Sequence, residues 1–197
     1  AMGENPVTPS AIENRIRYQR AIQRATSGRL VAMAKPTLAV VHGPAAGAGF
    51  ALALACDLGI MARPAFFLSA FSSVGLSGDF GVGWLLTRLI SGARARETMF
   101  LSDRISSDRA LEIGLANWVC EADDLQDQAS AIARRLASAP PKALSYMKEH
   151  LNSALSTDFG TYMDYEVACH LDCSTTADHL EGVTAFAEKR TPVFSGR

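Results

Sequence analysis

The sequence predicts an α/β fold whose second half is helical, and two observations carry that prediction. Short β-branched or aromatic runs, at 37–41 and 66–68, are each followed by a glycine-rich turn and an apolar run of helical character. Beyond Gly92 the apolar spacing is helical almost throughout, broken at Pro140-Pro141. The 197 residues fit a single domain of roughly 100–200 residues with at most a small appendage. With 48% hydrophobic and 20% charged residues the chain can bury a sizeable core, which excludes a disordered or collagen-like protein.

Nineteen Lys and Arg against 20 Asp and Glu leave a formal charge of −1, so no global field points to nucleic acid or to an anionic membrane. Cys56, Cys120, Cys169 and Cys173 are too few and too irregular for a disulfide framework, and a reducing cytoplasm is expected. The opening AMGENPVTPS has no basic stretch followed by an apolar one, so nothing in it reads as an export signal. The longest apolar run, 44–61, is dotted with Gly and Ala and reaches Cys56 and Asp57. It is expected to be a buried helix, not a membrane span, and the protein to be soluble.

In chain order, Pro9, Ser10 and Glu13 resemble a capping box that opens a helix, carried by Ile12, Ile16 and Ile22 to about residue 34. Arg15, Arg17, Arg20, Arg24 and Arg29 give it a solvated basic face; only Tyr18 could stack on a base, so RNA binding is not expected. Lys35-Pro36 stops the helix, and 37–41 is expected to be a buried strand. The next segment, Gly43-Pro44-Ala45-Ala46-Gly47-Ala48-Gly49, leads into an apolar helix at 50–55. It is either a packing turn or a place where free N–H groups at a helix N-terminus meet negative charge. It lacks the residues of a P-loop and the spacing of a dinucleotide fingerprint. Gly47, Ala48 and Gly49 would let a carbonyl approach the backbone closely.

Following strand 66–68, Asp79 lies between Gly78 and Phe80 before a helix that opens near Trp84. It either caps that helix or presents a carboxylate to a pocket, with Phe67, Phe71, Phe80 and Trp84 available to desolvate it. A helix at 93–101 follows, then Ser107 or Asp108 as cap for a helix at 109–113 that Gly114 ends, and an extended piece at 117–120. Helices are expected at 124–137, 142–155, 159–173 and 178–189. Cys169, His170, Cys173 and His179 match no standard zinc spacing. Cys169 and Cys173 read as one apolar helical face, and no metal is expected.

Four segments in order, KPTLAVVHGPAAGAGFALALACDLGIMA, FSSVGLSGDFGVGWLLTRLISGARARE, LSDRISSDRALEIGLANWV and EGVTAFAEKRTPVFSGR, resemble the crotonase superfamily, the enoyl-CoA hydratase/isomerase family. The likeness runs from about residue 35 to the C-terminus. It implies a crotonase-like ββα spiral over residues 1–138 and a helical C-terminal trimerisation region over 139–197. It also implies an acyl-CoA thioester as substrate, with coenzyme A part of that substrate and no separate cofactor, and a homotrimer or hexamer. Ala1-Met2-Gly3 resembles the stretch just after the family's first oxyanion donor, so the chain is expected to begin beyond that donor and the first spiral strands.

Residue by residue, Ala48 resembles the N–H that serves as an oxyanion donor, flanked by Gly47 and Gly49 in the substrate-binding turn. Where typical hydratases carry two glutamates this chain has Ala51 and Phe71, neither able to transfer a proton, so two-carboxylate hydration is not expected. Asp79 matches the position where some enoyl-CoA isomerases and the family's aromatic-thioester dehalogenase place a catalytic aspartate, which favours the pocket over the cap. Phe186 and Lys189 match positions that cover the CoA arm, and Asp57 is expected to be structural. The resemblance thus implies single-carboxylate chemistry such as double-bond isomerisation. The alternatives are hydration by a non-standard mechanism and a catalytically silent CoA-thioester-binding protein.

Overall fold

The structure is a computed structural model and describes residues 9–197, so the first residues, Ala1-Met2-Gly3 among them, lie outside the described part. The chain divides into two compact units. The first contains the N-terminal helices and Ala39–Leu125; the second contains Met33–Leu38 and Gln126–Arg197.

The first unit opens with α1 (Pro9–Ala25) and α2 (Ser27–Ala32). The sequence predicts a single helix to about residue 34, but the structure interrupts it at Thr26, whose hydroxyl donates to the Ile22 carbonyl at 2.8 Å alongside its own N–H at 3.0 Å. Ser10 stands inside the first turn of α1, so it does not cap the helix as its spacing suggested. Six short strands come next: β1 (Leu38–Val41), β2 (Pro44–Ala46), β3 (Leu58–Ala62), β4 (Phe66–Leu68), β5 (Ile105–Ser106) and β6 (Trp118–Cys120). They form two three-stranded sheets, in the orders β1-β3-β6 and β2-β4-β5. Strand β3 runs parallel to β6 and β2 parallel to β4, whereas β4 and β5 are antiparallel.

Two expectations fail here. The run 44–61 is not one helix: it contains β2, the short helix α3 (Ala48–Leu54) and β3, because the chain turns at Cys56-Asp57 and reverses into a sheet. Strand β1 is not buried as expected; Val40 is 40% exposed and only Val41 lies in the core, since β1 is an edge of its sheet. The helices α4 (Val82–Leu89), α5 (Gly92–Leu101) and α6 (Ser107–Ile113) complete this unit. Ser106, one residue before the expected cap, accepts from the Arg109 N–H at 3.2 Å, and Gly114 ends α6 at φ 86° as predicted. Phe50, Ile60, Met61, Val82 and Leu86 form the core, and the rings of Phe50 and Phe67 meet at 4.9 Å.

The second unit is helical: α7 (Leu125–Ala137), α8 (Pro141–Ser153), α9 (Phe159–Ser174) and α10 (Ala177–Glu188). Pro141 starts α8 at its first position, Asp158 and Thr176 cap α9 and α10, and Lys189 ends α10 in the left-handed region. The C-terminal tail is tied to α10. Buried Asp178 accepts from the N–H groups of Ser195 at 2.7 Å and Gly196 at 3.0 Å, and Glu181 holds Arg190 by two bonds at 2.6 and 2.8 Å. Arg190 and the Val193 N–H together pull the Glu181 carboxyl down to about 2. No helix among the described residues is long and apolar enough to cross a membrane.

Candidate active site

The site grows from two turns of the first unit, each placed between a strand of the β2-β4-β5 sheet and a helix. The first comes after β2. Its register is fixed by the parallel pairing of Ala46 with Leu68, extended by a bond from the Gly47 N–H to the Leu68 carbonyl at 3.0 Å. Gly47 then adopts φ 52°, ψ −118°, a conformation that a Cβ opposes, and becomes the N-cap of α3. The first helical bond is donated by Ala51 to the Gly47 carbonyl. The N–H groups of Ala48 and Gly49 therefore precede the ladder, at the positive end of the helix. The Phe71 ring lies alongside, 3.9 Å from where a Cβ on Gly47 would stand, which is ordinary van der Waals contact, so the backbone conformation and not space is what favours glycine.

The second turn carries Asp79. Its backbone carbonyl accepts from Val82, but its side chain makes no capping bond; Gly81 is the residue before α4, at φ 81°. Of the two roles open to Asp79, the cap is thus ruled out by geometry. Its Oδ1 is buried and has no hydrogen-bond partner, and desolvation raises its pKa above the ordinary carboxylate value. Asp79 and Phe71 line a cavity of about 780 Å³ together with Leu76, Ser77, Gly78 and one face of α1, from Ile12 to Arg24. Desolvation favours the protonated form, so this carboxyl holds a proton more readily than an ordinary aspartate, a property suited to taking and returning one.

The expected aromatic surround is only partly present. Phe71 is 5% exposed and lines the cavity, but Phe67 packs against Phe50 and Trp84 lies outside under the Arg88 guanidinium, 3.5 Å from the ring centroid. Each therefore serves another contact. Ala51, in place of a glutamate, is fully buried. Asp57 stands exposed in the turn between α3 and β3. The basic residues of α1 are exposed as predicted, yet Arg15, Arg20 and Arg24 also border the Asp79 cavity, which helical periodicity alone could not reveal.

The structure thus brings Gly47, Phe71 and Asp79 into one neighbourhood, with Ala48 and Gly49 beside Gly47. Phe186, 87% exposed, and Lys189 belong to the second unit. Phe186 there borders a smaller cavity of about 380 Å³ with Val183, His179 and Phe194. Cys169 is buried on α9 and His170 exposed; no group of three or more His, Cys, Asp or Glu suited to a metal occurs among the described residues. One set of side chains escaped sequence reasoning. Ser69, Ser72 and Ser102 meet behind the site through hydroxyl contacts of 2.7 Å, and nothing in their spacing signals it.

Comparison with known proteins places this geometry in a family. A family profile described as enoyl-CoA hydratase/isomerase matches residues 13–197. The 1,2-epoxyphenylacetyl-CoA isomerase of Escherichia coli is 40% identical over 169 residues, 86% of this chain and 64% of its own length. The short-chain-enoyl-CoA hydratase of Clostridium acetobutylicum is 34% identical over 162 residues, 82% of this chain and 62% of its own. The chain therefore spans less than two thirds of the length of these two relatives. Among solved structures, an enoyl-CoA hydratase from Bacillus anthracis superposes with a TM-score of 0.89 at 32% identity, over 94% of this chain and 72% of that one. With a matching profile over nearly all its length and the fold of solved members, the chain belongs to the enoyl-CoA hydratase/isomerase family of the crotonase superfamily.

Proposed function

We propose that this chain is the catalytic part of an acyl-CoA enzyme that shifts a carbon–carbon double bond by one-carboxylate proton transfer. The observation that carries the reading is the buried, unpartnered Oδ1 of Asp79 on the wall of the cavity beside Phe71. In a 3-enoyl thioester, Asp79 takes a proton from C2 and the electron pair moves into the conjugated enolate. The same carboxyl then returns the proton to C4, leaving the 2-enoyl thioester with no atom gained or lost. Ala48 N–H donates to the thioester oxygen as charge develops there, a contact that can lower the barrier by several kcal/mol. Gly47 and Gly49 keep side chains out of its way. Ala51 and Phe71 support the reading from the other side, because they leave no second carboxylate to activate water.

Phe186 and Lys189 would cover the CoA arm held by a neighbouring copy, Lys189 as a point charge for a phosphate. The apolar side chains exposed along the helical unit, among them Leu151, Phe159, Val167 and Leu171, suit burial between copies in a homotrimer or hexamer. The test is turnover of a 3-enoyl-CoA and a 2-enoyl-CoA, side by side, by the protein and by Asp79→Asn. Isomerisation lost in the variant is the expected outcome. Hydration that survives in the variant overturns the role of Asp79, and acyl-CoA binding without turnover makes the protein a silent binder.

A further inference from the structure

The walls of the Asp79 cavity hang on the C-terminal end of α5. Ser102, the residue that ends α5, is buried and held in the left-handed region at φ 53°, disfavoured for a residue with a Cβ. From there its Oγ reaches two hydroxyls more than two dozen residues away: Ser69, fully buried, and Ser72, each at 2.7 Å. The Ser102 oxygen is the only one of the three that contacts both others, and with one donor and two acceptor sites it can serve both at once, which makes it the hub. Between the two anchored serines lie Ala70, also left-handed at φ 62°, and Phe71. Such a backbone persists only where its surroundings over-determine it.

This clamp holds the site itself. Ser69 is the residue directly after Leu68, whose carbonyl takes the Gly47 N–H of the first turn. The Phe71 ring stands against Gly47. The Phe71 carbonyl accepts from the N–H groups of Val74 at 3.1 Å and Leu76 at 2.9 Å, which folds the chain back towards Asp79. The far end of the loop lies close to both α4 and α5: a Cβ at Gly78 would lie 3.1 Å from Val82 Cγ1 and 3.3 Å from Met99 Cε, tighter than most Cβ contacts. The last turn of α5 therefore anchors the start of the segment 69–79 through Ser102 and, with α4, borders its far end.

We infer that Ser102 is a positioning residue which, through Ser69 and Ser72, sets Asp79 and Phe71 in register with the Ala48 N–H. The inference rests on the isomerase reading of the site. Proton transfer between C2 and C4 needs one carboxylate within reach of both carbons, and displacements of about 1 Å can cost as much as 10²-fold in rate. The test variant is Ser102→Gly, which removes the hub hydroxyl and keeps the left-handed backbone free of strain. The expected result is a fall in kcat for 3-enoyl-CoA of about tenfold with KM changed less than about twofold, the pattern of lost transition-state geometry. Ser72→Ala, at the exposed arm of the network, moves kcat the same way by less.

A second readout does not depend on turnover. In ¹³C-labelled protein the Asp79 carboxyl titrates above the ordinary carboxylate range, and in Ser102→Gly its midpoint falls as the loop opens to water. A lower Tm with kcat and the Asp79 titration both unchanged reduces the serines to a structural tether and overturns the proposal. If the wild-type protein converts no enoyl-CoA, the isomerase reading fails by itself. The titration then decides alone: a fallen midpoint in Ser102→Gly upholds the clamp, an unchanged one rejects it.

Discussion

Replacing Asp79 by Asn should make the protein more stable at neutral pH while abolishing its chemistry. The carboxylate sits half-buried, its Oδ1 sealed from water without a donor, and desolvation raises its pKa. An unsatisfied buried polar group costs about 1–3 kcal/mol. Asparagine keeps the shape and a polar oxygen but sheds the charge, and part of the group is still solvated, so the lower end, about 1 kcal/mol, is the appropriate gain. For a chain of this size that is roughly 2–4 °C in Tm. The raised pKa sets the sign with pH. Below the ordinary carboxylate range Asp79 is protonated in both folded and unfolded chains and the penalty is absent. It develops as pH rises through the folded-state pKa. Thermal melts of both proteins from about pH 3 to pH 8 should therefore start together and separate, with the variant higher. A variant that melts lower than wild type at pH 7, or a gap independent of pH, would show that the carboxylate is well solvated or paired and would refute the reasoning.

The backbone and the tail give two further expected outcomes. Gly47→Ala should lose about 1–3 kcal/mol, because φ 52°, ψ −118° strains any residue with a Cβ even though the space towards Phe71 is open; urea denaturation measures it, and equal stability would mean the turn relaxes freely. Glu181, held down to about 2 from an ordinary 4.5, contributes stability that is complete above about 4.5 and disappears as pH falls through 2. Wild type and Glu181→Gln should accordingly differ in Tm at pH 7 and converge in acid, and a difference undiminished at pH 2 contradicts the Arg190 clasp.

The features that the sequence disclosed and those it hid divide along physical lines. The turn at Gly47 was legible because glycine in a strand-to-helix corner has a local cause, and so was the stop at Gly114. Asp79 was legible as one of two roles, but only the missing cap bond and the sealed oxygen separate them, and those depend on atoms distant in the chain. Strand β2, made of Pro and two Ala, carries no β propensity; it exists because β4 lies alongside to pair with it. The shift of the α6 cap to Ser106 turns on a single hydroxyl bond that several nearby residues could have made equally well. The serine clamp lies furthest out of reach, since a contact across 33 residues has no periodicity to announce it.

On the proposed reading, the thioester oxygen meets a donor that is no side chain, the Ala48 N–H. It belongs to the main chain, and every amino acid except proline carries it. Point mutation can therefore rewrite the side chains around the thioester, exchanging a glutamate for Ala51 or Phe71 and placing an acid at Asp79, without touching the group that faces the carbonyl. On that reading one corner can serve several reactions, because the group it offers the carbonyl is not encoded by any side chain.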